Sequence, residues 1–183
     1  MPRTFIGIKI PNEISEKIIR FLKEKSISKL PNLKTVEQEN LHITLKFLGE
    51  VEEEKIQEII EDLSSISFSI FKVEVKNIGV FPSVDYPRVI WIGAISSEIY
   101  ELKKILDRAL KKLKFEEEKN FVSHITIGRV KNGNPSAKIK ELMKENISFG
   151  EFFVNEFILF ESVLTPSGPI YKNIKEFKLK AKT

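Results

Sequence analysis

The sequence predicts an α+β fold of two pseudo-symmetric lobes, each a mainly antiparallel sheet with helices on its outer face, and a central cleft between the sheets. Three observations lead there. The order strand, helix, strand, helix, strand can be read twice along the 183 residues. The two histidines of the chain, His42 and His124, fall in the middle strand of each copy, each followed by Ile, Thr and an aliphatic residue. They lie 82 positions apart, and the strand cores Ile6-Gly7-Ile8 and Ile90-Trp91-Ile92 lie 84 apart. Solenoid arrays repeat in shorter and more numerous units, so this spacing reads as one internal duplication. The expectation is a single bilobal domain over residues 1–183, with repeats of approximately 1–86 and 87–183.

Taken in order, Arg3 to Ile10 is rich in β-branched and aromatic residues and reads as a strand. Pro11-Asn12 ends it, with Asn12 a candidate cap for a helix over 13–25 whose buried face is Ile14, Ile18, Phe21 and Leu22. Ser26 to Asn40 is polar and reads as a loop. Leu41 to Leu48 is the first His-Thr strand, closed by Gly49. Glu52 to Leu63 is a helix with Ile56, Ile59, Ile60 and Leu63 as its stripe; Glu52, Glu53 and Glu54 favour the positive end of its dipole. Ser67 to Phe81 has a long β pattern, and Pro82 to Pro87 breaks the chain. The second copy follows: a strand from Arg88 to Gly93, then a helix begun by Ser96 or Ser97 with the stripe Ile99, Leu102, Leu106, Ala109, Leu110 and Leu113. After a charged loop, Phe115 to Phe121, comes the second His-Thr strand, about Val122 to Val130. A turn at Asn132 to Pro135 precedes a short helix carrying Ile139, Leu142 and Met143. Glu151 to Glu161 reads as one strand, and Ile170 to Lys180 as the last.

Composition narrows the chemistry. With 42% hydrophobic and 31% charged residues the chain is globular, and at this length about 70% of its unfolded surface should be buried. There are no cysteines, which excludes disulfides, thiol catalysis and cysteine-bound zinc. The opening Met-Pro-Arg-Thr-Phe-Ile-Gly-Ile lacks the layout of a secretion signal, and no apolar run reaches the length of a membrane span; a cytoplasmic location without membrane attachment is expected. The net charge of +4 and pI near 9.1 permit an anionic partner. Abundant Lys, Glu and Ile with two glutamines lean towards a thermophilic source.

Side chains alternate across a strand. His42 and Thr44 therefore share one face, with Leu41, Ile43, Leu45 and Phe47 on the other; His124 and Thr126 share a face opposite Ile125 and Ile127. If the strands meet, two imidazoles and two hydroxyls share a site, a set suited to proton transfer at a phosphate. Lys46 falls on the His42 face by the same alternation. No carboxylate shares these faces and Thr is a poor metal ligand, so no metal is expected. No Gly-rich loop ends in Lys-Ser or Lys-Thr, which argues against nucleotide-driven ligation.

These motifs resemble the two-histidine phosphoesterase superfamily, and within it the RNA 2′,3′-cyclic phosphodiesterases, also called 2′-5′ RNA ligases. The resemblance covers Phe5-Ile6-Gly7-Ile8, Leu41 to Gly49, Arg88 to Gly93, His124 to Arg129, and Ser162 to Pro166 through Tyr171. It implies a bilobal α+β fold and metal-independent hydrolysis of a terminal 2′,3′-cyclic phosphate to a 2′-phosphate, with reverse 2′-5′ ligation at the same site. It implies no cofactor, a monomer, and RNA with cyclic-phosphate ends, tRNA fragments among them, as partner. His42 is implied as proton donor to the leaving 3′ oxygen and His124 as proton acceptor from water. Thr44, Thr126 and Arg129 are implied as phosphate-binding groups. Strict alternation puts Arg129 on the wrong face, so its role requires Gly128 to make a bulge or end the strand. Lys46 and Tyr171 are candidate substrate contacts, Tyr171 by stacking a base; Phe81 reads as core. The tail lysines read as a solvated edge strand. The competing readings are a two-histidine phosphodiesterase for a small cyclic nucleotide of the ADP-ribose cyclic phosphate type, and an RNA-end-binding module without turnover.

Overall fold

A computed structural model describes residues 1–182. In chain order its elements are β1 (Arg3–Lys9), α1 (Asn12–Glu24), β2 (Leu33–Thr35), β3 (His42–Glu50), α2 (Glu53–Ser64), β4 (Phe71–Pro82), β5 (Pro87–Ile95), α3 (Ser97–Leu110), β6 (His124–Val130), α4 (Ser136–Met143), β7 (Ser148–Val154), β8 (Glu156–Thr165) and β9 (Gly168–Lys178). The hydrogen-bonded strand order is β7-β4-β5-β6-β3-β1-β8-β9, with β2 beside β6. β3 and β6 meet at one antiparallel pair, Ile43 opposite Ile125. The sheet divides there into two lobes, one of β1, β3, β8 and β9 and the other of β4, β5, β6 and β7, each antiparallel throughout.

The lobes are not the sequence halves. β4, from the first half, pairs with β5 of the second; β8, from the second, pairs with β1 of the first. The break at Pro82 to Pro87 is therefore a hairpin turn inside one lobe, with Pro82 opposite Pro87. Pseudo-symmetry survives this exchange: outward from the β3–β6 contact, β1 matches β5 and β8 matches β4.

Three local readings differ from the sequence expectation. The loop over 26–40 contains β2, whose three residues are held by pairing with β6. The stretch Glu151–Glu161 is two strands, parted at Asn155, whose carbonyl accepts from the Leu179 N–H. Asn12 is the first helical residue of α1 and makes no capping bond; Pro11 sits at the cap, its carbonyl accepting from Ile14 and Ser15.

The helices cover the face away from the histidines. Ile43 and Ile125, both fully buried at the lobe junction, share one core with Ile14 and Ile18 of α1 and Leu102 and Leu106 of α3. Burying each such side chain contributes about 1.5–3 kcal/mol. α1 lies on β7, Phe21 meeting Phe149 edge-on at 5.3 Å. α3 lies on β3, where Lys46 pairs with Asp107. No helix among the described residues is long and apolar enough to cross a membrane.

Candidate active site

Both His-Thr strands break their alternation at the same place. Along β3, Gly7 pairs with Thr44 and Ile6 with Lys46, so Leu45 is an extra residue, a bulge. Along β6, Trp91 pairs with Thr126 and Ile90 with Gly128, so Ile127 is the extra one. A bulge turns every residue beyond it to the opposite face. Arg129 therefore joins His124 and Thr126 at the cavity between the lobes; the bulge its role required is present, but at Ile127, one residue before the Gly128 that was expected to make it. The same device corrects two expectations in the first copy. Phe47 lies on the cavity side, 62% exposed, and Lys46 turns into the core at 2%. Lys46 is not a substrate contact: its ammonium is tied to Asp107 at 2.5 Å and to the Glu116 carbonyl at 2.7 Å.

The cavity is about 1000 Å³ and is lined by His42, Thr44, His124, Thr126, Arg129 and Tyr171, among others. The antiparallel pair Ile43–Ile125 runs His42 towards Thr126 and Thr44 towards His124. Each imidazole is held in the same way. His42 Nδ1 is 2.7 Å from the Asn40 carbonyl, and His124 Nδ1 is 2.7 Å from the Val122 carbonyl. A carbonyl only accepts, so both Nδ1 atoms carry the proton and both Nε2 atoms are on the cavity side. His42 Nε2 stands 2.8 Å from Thr44 Oγ1, which donates to it in the neutral form. Asn40 is anchored in turn by its own amide, which donates to the Pro169 carbonyl at 2.9 Å.

Burial pushes both imidazoles below the ordinary value of 6.5. The carbonyl acceptors oppose this, and the Arg129 guanidinium adds to it at both rings, as does the second imidazole at His42. Burial also raises the Tyr171 phenol, again against Arg129. One guanidinium thus acts on three groups of the site; an anion beside it would let both imidazoles rise towards 6.5 and would let the phenol rise further.

Aromatic rings brace each histidine. Phe5 and Tyr171 lie 4.9 and 5.1 Å from the His42 ring, Tyr171 edge-on. Phe81 and Trp91 lie 5.0 and 5.8 Å from His124. Phe81 is thus a wall of the cavity and not simply core. Trp91 crosses over Gly79 on the paired strand, where a Cβ would come within 2.2 Å of its ring. Sequence reasoning missed Phe5, Phe47 and Trp91 as parts of the site. Gly79 opposite a lone tryptophan was the only trace of the last, and the bulge left no trace of Phe47.

Two imidazoles open to one cavity, with hydroxyls and a guanidinium beside them, form an acid–base site for an anionic ester, the chemistry of a phosphoesterase. The comparisons agree. The chain matches the model of the LigT-like phosphoesterase family over residues 8–91 and 93–171. It is 44% identical over 177 residues to the RNA 2′,3′-cyclic phosphodiesterase of Methanocaldococcus jannaschii, covering 96% of this chain and 99% of that one. The same figures hold for the RNA 2′,3′-cyclic phosphodiesterase of Archaeoglobus fulgidus. A solved structure from Thermus thermophilus superposes with a TM-score of 0.84 at 26% identity, covering 99% of this chain and 100% of that one. LigT of Escherichia coli in its apo form gives 0.79 at 25% identity, covering 98% of each. The chain belongs to the LigT-like phosphoesterase family.

Proposed function

We propose that the protein hydrolyses the terminal 2′,3′-cyclic phosphate of RNA to a 2′-phosphate without a metal ion, and that the same site run backwards joins RNA ends through a 2′-5′ bond. The observation that carries this is the pinning of both Nδ1–H groups by backbone carbonyls, which turns both Nε2 atoms to one cavity, that of His42 beside the Thr44 hydroxyl. His42 protonates the departing 3′ oxygen and His124 takes a proton from water. Thr44, Thr126 and Arg129 hold the non-bridging oxygens, and Tyr171 contacts the substrate. The phosphate's charge lifts the imidazoles from their lowered resting state, and once one is protonated its charge keeps the other neutral. The pair then holds a single proton, as an acid and a base acting together require. A guanidinium beside two imidazoles suits an anion better than a divalent cation. The chemistry calls for no cofactor.

The cavity supports RNA over a lone small nucleotide. At about 1000 Å³ it stands at the top of the range for small-molecule pockets, roughly 300–1,000 Å³. Arg3 and Lys34 join Arg129 along its wall, which Glu37, Glu39 and Glu118 also line; the three cations suit the phosphates of an RNA end, such as a tRNA fragment's. The proposal is completed by a monomer acting as one bilobal domain in the cytoplasm, free of membrane.

The test is incubation with a cyclic-phosphate-ended oligonucleotide, and separately with small cyclic phosphates, in the presence of a chelator. Opening of the oligonucleotide with a bell-shaped pH–rate profile is expected. Loss of activity on chelation, restored by a divalent ion, would replace the metal-free mechanism. Turnover of the small cyclic phosphates alone would replace RNA as substrate. Binding of RNA ends without turnover would make the protein a binding module.

A further inference from the structure

We infer that the stripe Tyr100, Lys103 and Asp107 on α3 positions His124, by fixing the segment whose Val122 carbonyl holds the Nδ1 proton of the base; this rests on the role given to His124 above. His42 is held at both ring nitrogens, by the Asn40 carbonyl and the Thr44 hydroxyl. His124 makes one ring hydrogen bond among the described residues, to the Val122 carbonyl at 2.7 Å. The hydrogen bond at one ring nitrogen decides which tautomer is present. Whatever places that carbonyl therefore decides whether Nε2 carries the lone pair that takes the proton from water.

Val122 does not lie in regular structure. β6 begins at His124, and residues 115–123 before it belong to no helix or strand. The Ala94 N–H ties the end of this segment to β5, donating to the Ser123 carbonyl at 3.3 Å. The other anchors are side chains. Tyr100, Lys103 and Asp107 stand at i, i+3 and i+7 and so share one face of α3. The Tyr100 hydroxyl accepts from the Ser123 N–H at 3.1 Å, one residue after Val122. The Phe121 ring, one residue before Val122, meets the Tyr100 ring edge-on at 5.4 Å and lies 5.2 Å from the Lys103 ammonium. Val122 is thus gripped on both sides.

Asp107 is the root of the stripe. It pairs with Lys103 at 3.2 Å and with Lys46 at 2.5 Å. Lys103 reaches on to Glu118 at 3.5 Å, and Lys46 donates to the Glu116 carbonyl at 2.7 Å. Lys46 lies on β3, four residues past His42. Both ends of the segment are therefore fixed to one buried cluster, and through Lys46 the strand that carries His42 is fixed to it as well. Three buried charged groups are a costly way to pack a helix on a strand, since apolar side chains would do so with less desolvation. What charged groups add is direction: ion pairs and hydrogen bonds set the orientation of their partners as well as the distance. Here those partners are the backbone and side chains that lead into His124.

The experiment labels the ring nitrogens of histidine with nitrogen-15 and reads both rings by NMR above the ordinary imidazole pKa, where both are neutral. The chain has two histidines, so His42→Gln leaves the His124 ring alone in the spectrum and assigns it. Wild type should show Nδ1 protonated in both rings. Tyr100→Phe removes the acceptor of the Ser123 N–H; Lys103→Met removes the cation beside Phe121 and Glu118 and leaves Asp107 paired with Lys46. Both variants should move His124 towards a mixture of tautomers and leave His42 as in wild type. Tyr86→Phe, at a ring that stacks on Arg88 outside the cavity, should change neither. On the cyclic-phosphate-ended oligonucleotide, Tyr100→Phe should lower kcat about 2- to 12-fold, the size of one hydrogen bond. KM should stay near wild type, because Thr44, Thr126 and Arg129 are untouched. In a His124→Ala background the same substitution should cost nothing, whereas a merely structural role costs equally in both backgrounds. A His124 ring unchanged in both variants, a matching change at His42, or an equal loss in the His124→Ala background would overturn the inference. A wild type that does not open the oligonucleotide would overturn the proposed function, and the tautomer spectra would still decide the positioning.

Discussion

Asp107→Ala should destabilise the fold far more than Lys46→Met, although both strike one buried cluster. Lys46 Nζ donates to Asp107 Oδ1 at 2.5 Å, and Lys103 Nζ reaches the same oxygen at 3.2 Å. The three side chains are 2%, 4% and 5% exposed for Lys46, Lys103 and Asp107. One carboxylate thus serves two buried ammonium groups. Removing it leaves both cations facing each other out of water, with the Glu116 carbonyl beside Lys46 and the half-exposed Glu118, at 3.5 Å from Lys103, in partial compensation. Breaking a buried pair from one side costs about 3–5 kcal/mol. Lys46→Met keeps most of the side-chain volume, and Asp107 keeps Lys103. Its main cost is the Glu116 carbonyl left without its donor, about 1–3 kcal/mol. At about 2–4 °C per kcal/mol for a chain of this size, Asp107→Ala should lower Tm by roughly 6–20 °C. Lys46→Met should lower it by about half of that or less. Thermal unfolding at pH 7, with urea titration as a second probe, measures both. A Lys46→Met variant as unstable as Asp107→Ala, or two variants of wild-type stability, would refute the reasoning.

The two imidazoles, held below 6.5 by burial, link stability to acid. The unfolded chain takes up protons first as pH falls, so stability should decline from about pH 6.5 down to the folded values. Replacing both by Gln should flatten the decline in urea titrations at each pH; an unchanged slope would contradict the desolvated setting. Gly79→Ala should push Trp91 off its seat, shift the emission of this single tryptophan and lower kcat about 10- to 100-fold by loosening His124. Wild-type emission and rate would show that Trp91 does not brace the histidine. A substrate whose leaving oxygen is replaced by sulfur hardly needs an acid, so His42→Ala should recover much of its lost rate on it and His124→Ala should not. Recovery by His124→Ala alone would reverse the assigned roles.

The histidines were legible because duplication displayed them twice in one setting, and the helices because their stripes follow a 3.6-residue period, over three turns or more in α1, α2 and α3 and over about two in α4. What the sequence hid depends on contacts between distant strands. The Leu45 and Ile127 bulges exist only in the pairing with β1 and β5. Alternation therefore misplaced Phe47 and Lys46, and left Arg129 dependent on a bulge that only the fold could supply. The exchange of β4 and β8 between lobes leaves the local pattern of each strand unchanged, so periodicity carried no trace of it. β2 has three residues and is held by β6 alone, too short to show a period. The division at Asn155 follows from its bond to Leu179, 24 residues onward.

The most direct measurement is the product formed from an RNA oligonucleotide ending in a 2′,3′-cyclic phosphate, followed in single turnover with chelator present. Wild type should yield the 2′-phosphate, and His42→Ala and His124→Ala should each be slower by about 10²- to 10⁴-fold, the usual contribution of an acid or a base. A 3′-phosphate product, or a double variant that turns over at the wild-type rate, would contradict the account.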